Sequence, residues 1–360
     1  MHRQPKTVLA RQWIRFDSST PHKVTLPSGD KTFSVAPLNI IVTGGAGYIG
    51  SICSARLVDD GHNVTIVDDL STGYRAAIPP GAKFHHIQVG DAPFLRKIFE
   101  KSSPDAILHF AGSALVGESM INPHLYFRNN LIQPQTLLQL AAEFKTPKFI
   151  FSSTCAIYGV PSLLPISEDT PLNPVNPYGE SKAMFERLLH WQTNVHATET
   201  VILRYFNAAG AIGKLGQYDH SHTRIIPRLF KTVLGQHKSF PVYGTNLPTP
   251  DGTAIRDYIH VSDLAEAHCR ALKPGIAGAF NLGRGHGTSV RELLEAARTI
   301  TGHPIPSEDL SVREGDPPEL VASVEKAHDQ LEWQAQHLAI EEIIESAWQW
   351  HQKFPNGYSD

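Results

Sequence analysis

The segment Asn39-Ile-Ile-Val-Thr-Gly-Gly-Ala-Gly-Tyr-Ile-Gly50 decides how the chain is read. Its β-branched run stops at Thr43. Gly44, Gly47 and Gly50 follow at three-residue spacing, and an apolar pattern of helical period begins at once (Ile52, Ala55, Leu57, Val58). Strand, glycine turn and helix in that order describe the phosphate cradle of a dinucleotide-binding βαβ unit. In this reading Gly44 allows the tight turn, Gly47 lets the backbone approach a pyrophosphate, and Gly50 lets the helix lie against the strand. The helix then turns its unpaired N–H groups and positive dipole end toward the anion. A second strand pattern, Val64–Val67, ends at Asp68, 18 residues after Gly50. An acid at that place binds the adenosine ribose hydroxyls and disfavours a 2′-phosphate, so the expected cofactor is NAD rather than NADP. Asp69 beside it leaves the choice of acid open.

Outward from this unit, short apolar strands alternate with helical stretches. The patterns predict strands at Phe84–Val89, Ala106–Phe110, Lys148–Ser152 and Val201–Tyr205, with helices at Pro93–Ser102, Pro123–Phe144 and Tyr178–Thr193. Such alternation implies an α/β fold, a doubly wound Rossmann-type parallel sheet covered on both faces. Past Tyr205 the rhythm breaks. Segments 210–227 and 243–253 are rich in glycine, proline and polar residues and read as loops capping a site. A strand at Ala279–Leu282, a helix from Ser289 to Thr301 and a last helix around Ile340–Gln352 complete a smaller C-terminal lobe. No internal repeat is visible.

The bulk properties narrow the classes of partner. With 360 residues, 19% charged and 41% hydrophobic, the chain is an ordinary globular protein large enough for a sizeable core. A net charge of −3 gives no reason to expect nucleic acid or an anionic membrane as partner, and no apolar run approaches the roughly 20 residues of a membrane span. Three widely separated cysteines, Cys53, Cys155 and Cys269, suggest reduced thiols in a cytoplasmic compartment and lack zinc-like spacing. Residues 1–37 carry six Lys/Arg against Asp17 and Asp30 with no sustained period. They read as a flexible extension; the arginine-bearing, acid-poor start also resembles a transit peptide.

A second constellation supplies chemistry: Phe149-Ile-Phe-Ser-Ser-Thr-Cys-Ala-Ile-Tyr-Gly159, then Asn176-Pro-Tyr-Gly-Glu-Ser-Lys182. Tyr178 and Lys182, four residues apart at the start of a helix, share a face. A tyrosine near its ordinary pKa of about 10 is a poor base; bringing it to about 7 requires about 4 kcal/mol of preference for phenolate. An adjacent ammonium and a positively charged nicotinamide ring are expected to supply it. Thr154, at the end of a strand, stands where ligands approach an open sheet, and its hydroxyl can bridge Tyr178 to a substrate hydroxyl.

Thr43-Gly-Gly-Ala-Gly-Tyr-Ile-Gly50 with Thr154 and the Tyr178/Lys182 pair resembles the extended short-chain dehydrogenases/reductases. The blocks His109-Phe-Ala-Gly112, Val116-Gly-Glu-Ser119, Leu203-Arg-Tyr-Phe-Asn207, Asp251 to Asp263, Asn281-Leu-Gly-Arg-Gly285 and Arg313-Glu-Gly-Asp316 narrow the resemblance to the UDP-glucose 4-epimerase family, over essentially all of residues 38–360. The resemblance implies NAD contacts at Gly44, Gly47, Tyr48, Ile49, Gly50, Asp68 or Asp69, Asp91, Ala92, Phe110, Ala111, Asn129, Tyr178, Lys182 and Tyr205. It implies substrate contacts at Thr154, Tyr178, Asn207, Arg224, Ile225, Tyr243, Arg256, Arg313, Asp316 and Leu320, with no metal. Arg256 and Arg313 suit a diphosphate because the guanidinium fork pairs bidentately with phosphate oxygens. The same resemblance implies a NAD-binding domain of 38–205 joined by 255–282, a UDP-sugar lobe of 206–254 and 283–360, and a homodimer paired through helices near 121–144 and 178–195.

This sequence departs from the family at Ala114, where some members have lysine, at Arg224, where asparagine or histidine is frequent, and at Glu180, which replaces a basic residue and is expected at the surface. A nucleotide-sugar 4,6-dehydratase would place Asp-Glu after the threonine, whereas Cys155-Ala156 stands here. A NAD-sensing regulator would lose the Tyr/Lys pair. Epimerases of UDP-N-acetylhexosamines, UDP-pentoses or UDP-uronic acids share nearly every motif and remain the alternative. Elsewhere, His109 reads as a satisfied core histidine, Cys155 as a packed small side chain, and Trp333, Trp348 and Trp350 as terminal packing. His220 and His222 lack a third metal ligand at useful spacing.

Overall fold

A computed structural model describes residues 36–219, 223–313 and 316–359. In chain order its elements are β1 (Asn39–Thr43), α1 (Tyr48–Asp59), β2 (Asn63–Asp68), β3 (Lys83–His86), α2 (Ala92–Ser102), β4 (Ala106–His109), α3 (Val116–Ile121), α4 (Pro123–Phe127), α5 (Gln135–Glu143), β5 (Lys148–Thr154), α6 (Pro177–His196), β6 (Glu199–Tyr205), β7 (Asn207–Ala209), α7 (Ile225–Val233), β8 (Phe240–Tyr243), β9 (Ile255–Arg256), β10 (Tyr258–His260), α8 (Val261–Ala271), β11 (Gly278–Leu282), β12 (Thr288–Ser289), α9 (Val290–Thr301), β13 (Ser307–Leu310), β14 (Glu319–Leu320), α10 (Glu325–Leu331) and α11 (Ile340–Lys353).

Seven strands form one parallel sheet in the order β11-β6-β5-β4-β1-β2-β3. The alternation of side chains along each strand explains why both faces need cover. Ile40, Val42, Ile66, Leu108, Ile150 and Leu203 pack with Leu57 of α1, Leu264 of α8 and Leu331 of α10. Their neighbours Ile41, Val67, Ile107, Phe149 and Phe151 pack with Leu95 of α2, Leu137 of α5 and Phe185 of α6. The strand order reverses between β1 and β4, and the crevice at their carboxyl ends is where an open α/β sheet takes its ligand.

A second apolar core joins α7, β8, α9 and α11 through Leu229, Phe230, Val242, Leu293, Ile344 and Trp348. The small sheet β12-β9-β14 lies beside it. Ser289 starts α9 with a capping box: its hydroxyl accepts from the Glu292 amide while the Glu292 carboxylate accepts from the Ser289 amide.

Two stretches differ from the sequence-based expectation. The helix expected over Pro123–Phe144 is broken: α4 leads into a π-helical turn at Arg128–Ile132, and α5 begins only after Pro134. Pro134 has no amide to continue the α-helical ladder, and the preceding turn widens so that the Gln133 amide reaches back to the Arg128 carbonyl, 2.9 Å away. The loop expected over 210–227 gives way to α7 at Ile225, whose apolar residues are covered by the second core. Residues 1–35, which make up most of the expected extension, and the histidines at 220 and 222 lie outside the described residues.

Candidate active site

The glycine turn is built as its spacing predicts. Gly44 adopts φ +72°, and a Cβ there would lie 2.5 Å from the Ala111 amide nitrogen. A Cβ on Gly50 would lie 2.2 Å from the Gly44 carbonyl, so helix and turn touch backbone to backbone. At Gly47 the protein itself leaves room: a Cβ would meet only the Gly44 carbonyl, 3.3 Å away. No side chain caps α1 and its first turn carries no acid, so the amides there keep their capacity for an anion. Ile49 lies in this first turn, packed against the sheet core. Tyr48 donates its hydroxyl to the Gly210 carbonyl, at 2.7 Å.

Of the two acids after β2, Asp68 is buried and bound to the turn. Its carboxylate accepts from the Ala46 amide at 2.9 Å and from the Leu70 amide at 2.8 Å. Burial raises its pKa, against those two amides. Asp69 instead turns outward and accepts from the Ser71 amide. Asp91 caps α2 by accepting from the Phe94 amide, with Ala92 the first helical residue. The Phe110 ring packs on His268, and the Phe110 and Ala111 amides both donate to the Thr43 carbonyl. Asn129, in the π-helical turn, donates to the Ser113 hydroxyl. These features fit a dinucleotide: an uncapped helix terminus, an open glycine and an acid at the neighbouring strand end.

The catalytic candidates converge at the end of β5. Thr154 accepts from the Ala156 amide at 3.1 Å, and its hydroxyl lies near enough to the Tyr178 phenol to lower its pKa. Asn176 caps α6 by accepting from the Gly179 amide, which sets the first turn that carries Tyr178. The ring of Tyr126 meets Tyr178 edge-on with centroids 6.3 Å apart. Lys182, one turn on, is buried, donates to the Ser152 carbonyl at 2.9 Å and lies 4.7 Å above the centre of the Phe151 ring. Burial lowers its pKa to about 8, with Glu186 working in the opposite direction.

The electrostatics differ from the sequence-based expectation. The protein holds the Tyr178 phenol above its ordinary value: burial dominates, and the Thr154 hydrogen bond and the Arg224 charge act against it. Lys182 is directed to a backbone carbonyl, so the protein cation that favours phenolate is Arg224. Tyr205 sends its hydroxyl inward to His268, 2.6 Å away. Glu180 is only partly exposed and lies in the first turn of α6, where a negative charge suits the helix dipole.

The residues expected to hold substrate lie on or beside β7, α7, β8, β9 and β14. Asn207 starts β7, and its amide donates to the Asp257 carbonyl. Arg224 caps α7 by position, and its amide donates to Asp219; Ile225 is the first residue of that helix. Arg256 on β9 pairs with Asp316 at 2.5 Å and also donates to the Ile255 carbonyl. The Arg313 guanidinium stacks 3.7 Å from the centre of the Tyr243 ring. Leu320, opposite Arg256 in the small sheet, is buried with Cys155, Phe206 and Ala183. Among the described residues no group of His, Cys, Asp and Glu could hold a metal ion.

Sequence reasoning missed the supports beneath these groups. Glu186 accepts from Ser153 at 2.5 Å and pairs at 2.7 Å with buried Arg204, tying α6 to β5 and β6. Asn130 bridges the Ser113 backbone to the Ser181 hydroxyl. The Asp257 carboxylate accepts from the amides of Arg284, Gly285 and Ala322, holding β9 and β14 in place; burial raises its pKa to about 6. Glu186 lies one turn beyond Lys182, the only one of these with a local signal. His109 is half satisfied: Nδ1 meets Thr43 at 2.6 Å, while buried Nε2 has no partner.

Residues 40–283 match the family model described as the NAD dependent epimerase/dehydratase family. Over 327 residues, 89% of this chain and 97% of the relative, the sequence is 45% identical to a UDP-glucose 4-epimerase of Halalkalibacterium halodurans. The crystal structure of UDP-glucose 4-epimerase from Brucella ovis in complex with NAD superposes with a TM-score of 0.83 at 41% identity, covering 86% of this chain and 97% of that one. The enzyme from Bifidobacterium longum in complex with NAD+ and UDP gives 0.84 at 35% identity, covering 89% and 99%.

Proposed function

Since the chain belongs to the NAD-dependent epimerase/dehydratase family, we propose the following assignment of its reaction to its residues. The chain inverts carbon 4 of a UDP-hexose, interconverting UDP-glucose and UDP-galactose with NAD as resident cofactor. Tyr178 takes the proton of the 4-hydroxyl, relayed through Thr154, whose hydroxyl lies beside the phenol. Bound NAD supplies the reversible hydride acceptor that makes a 4-keto sugar and restores it. Arg256 and Arg313 hold the diphosphate as the tether about which the sugar turns its other face to Tyr178, and Asp316 leaves Arg256 when phosphate arrives. Asn207, Arg224, Ile225, Tyr243 and Leu320 line the nucleotide and sugar path. Gly44 to Gly50, Asp68, Asp91, Ala92, Phe110, Ala111, Asn129, Lys182 and Tyr205 form the cofactor side. Residues 38–205 with 255–282 make the NAD-binding domain, and 206–254 with 283–360 the sugar lobe.

The observation that carries this reading is the convergence of Thr154, at the carboxyl end of β5, with Tyr178, in the first turn of α6, beside an uncapped glycine cradle. Cys155 supports it against a dehydratase: burial raises its thiol to about 12, leaving no acid or base next to Thr154. Purified protein incubated with UDP-glucose should yield UDP-galactose on chromatography, with no cofactor consumed. Turnover of UDP-pentoses alone would reject the hexose assignment.

The assembly is a homodimer. Ile132, Trp191 and Val195, on the α5–α6 side, are 60%, 63% and 65% exposed, more apolar surface than a monomer usefully presents there. Light scattering should give twice the chain mass, and Trp191→Glu with Val195→Glu should halve it. Three free thiols support a reducing, cytoplasmic setting. Among the described residues no helix is long and apolar enough to cross a membrane.

A further inference from the structure

We propose that Tyr358 is a cofactor-retention residue: it clasps together the two loops that border the dinucleotide cradle and so slows the release of NAD. The inference rests on the resident-cofactor reading above and concerns a segment, Phe354–Ser359, that has no part in the reaction itself.

The first loop follows β2. It begins at Asp68, whose carboxylate binds the Ala46 amide, and ends at Tyr74, whose amide donates to the Ala46 carbonyl at 2.9 Å. Gly73 packs so closely on Ala46 that an added Cβ would lie 3.0 Å from it. This loop therefore rests on the glycine turn at both of its ends. The second loop, 210–218, comes from the other lobe, where the Gly210 carbonyl accepts from Tyr48, the residue that opens α1.

Tyr358 touches both loops. Its ring stacks on Tyr74 with centroids 4.7 Å apart and planes 28° from parallel. Its hydroxyl donates to the Gly216 carbonyl at 3.0 Å and accepts from the Gly216 amide at 2.9 Å. Tyr48, Tyr74, Ile212, Leu215 and Tyr358 share one apolar cluster. Trp350 braces the arrangement from α11, donating to the Lys214 carbonyl at 3.0 Å and packing on Tyr358. Gly357 brings the segment down onto the second loop: at φ +79°, a Cβ there would lie 2.5 Å from the Tyr218 ring.

The geometry has a chemical purpose in an epimerase. A dehydrogenase exchanges its cofactor every turnover, whereas here release between the two hydride transfers would strand a keto sugar and a reduced cofactor. Opening the cradle requires the first loop to part from the second, and Tyr358 must then give up a stacked ring and two hydrogen bonds. Such contacts act mainly on the dissociation rate.

The test uses the full chain loaded with NAD, desalted, and mixed with alcohol dehydrogenase and ethanol, which convert released NAD to fluorescent NADH. Tyr358→Ser should release NAD about tenfold faster than wild type or more, as expected when contacts in the bound state are lost. Tyr358→Phe, which keeps the stacked ring, should fall between. Ser289→Ala weakens the cap of α9 and controls for general destabilisation. Unaltered release from Tyr358→Ser, or equal acceleration in Ser289→Ala, would overturn the clasp. Rapid release from wild type would instead reject the resident-cofactor reading beneath it.

Discussion

Tyr178 illustrates what one residue can and cannot do with its own surroundings. Burial pushes its phenol up while Thr154 and Arg224 pull it down, and burial wins. The protein therefore keeps the base protonated until a further positive charge arrives, which favours proton transfer only in the loaded site. Tyr178→Phe removes the reacting oxygen and leaves the ring against Tyr126, so turnover should fall by about 10²–10⁴-fold while calorimetry still finds UDP-sugar binding. Turnover near wild type would remove Tyr178 from the chemistry. We propose that Leu320 sets the substrate range. It is buried beside Cys155 and Phe206, so on that proposal Leu320→Tyr narrows the space at the sugar. The variant should lower the ratio of kcat/KM for UDP-N-acetylglucosamine over UDP-glucose by about 10–200-fold; an unchanged ratio would mean that Leu320 is no gate. The candidates for this chemistry stood out in the sequence because they sit in short motifs. Glu186 and Arg204 were not, because their pairing joins a helix to a strand across 18 positions and neither type announces a partner at that distance.

At the scale of elements, the glycine turn shows why local spacing reads so well. At Gly50 the requirement is a backbone contact with Gly44 six residues earlier, so sequence and geometry share one short range. Gly44, by contrast, lies against the distant Ala111 backbone and is legible through its positive φ in the turn. Gly50→Ala places a methyl 2.2 Å from the Gly44 carbonyl, an overlap with backbone that no side-chain rotation relieves. The turn must open, and NAD recovered from the purified variant, measured after denaturation, should fall at least tenfold. Full retention would mean that α1 can move away from β1 without loss of the cradle. The central strands were equally legible, since β-branched runs bounded by turns leave little choice. The broken helix near Pro134 and the start of α7 were not. A π-helical turn arises from one missing amide within an otherwise helical pattern, and α7 follows a polar loop whose composition hides it.

For the whole molecule, pH tolerance follows from histidines folded in the neutral form. Burial lowers His260 to about 3, His268 to about 4 and His351 to about 3. His268 shows the reason at the atomic level: Nδ1 meets the Leu264 carbonyl and Nε2 the Tyr205 hydroxyl, so a neutral ring already spends both nitrogens. A group whose folded pKa lies below its unfolded value leaves stability intact above the unfolded pKa. That stability is lost as pH falls, because the unfolded chain binds the proton first. The window opens at about 6.5 and closes near 3 to 4. Between pH 7.5 and 5.5 each such histidine costs on the order of 1 kcal/mol, and the three together a few kcal/mol. His337 and Asp257 oppose them: a hydrogen bond to Asp263 raises the first and burial raises the second to about 6, so protonation of either favours the fold. The net expectation is a urea midpoint that declines steadily from pH 7.5 to pH 5.5. His351→Phe, which keeps an aromatic ring against Phe230, should make that decline shallower. A midpoint flat across this range, or a slope unaltered in His351→Phe, would mean that these rings reach solvent and take up their protons without unfolding.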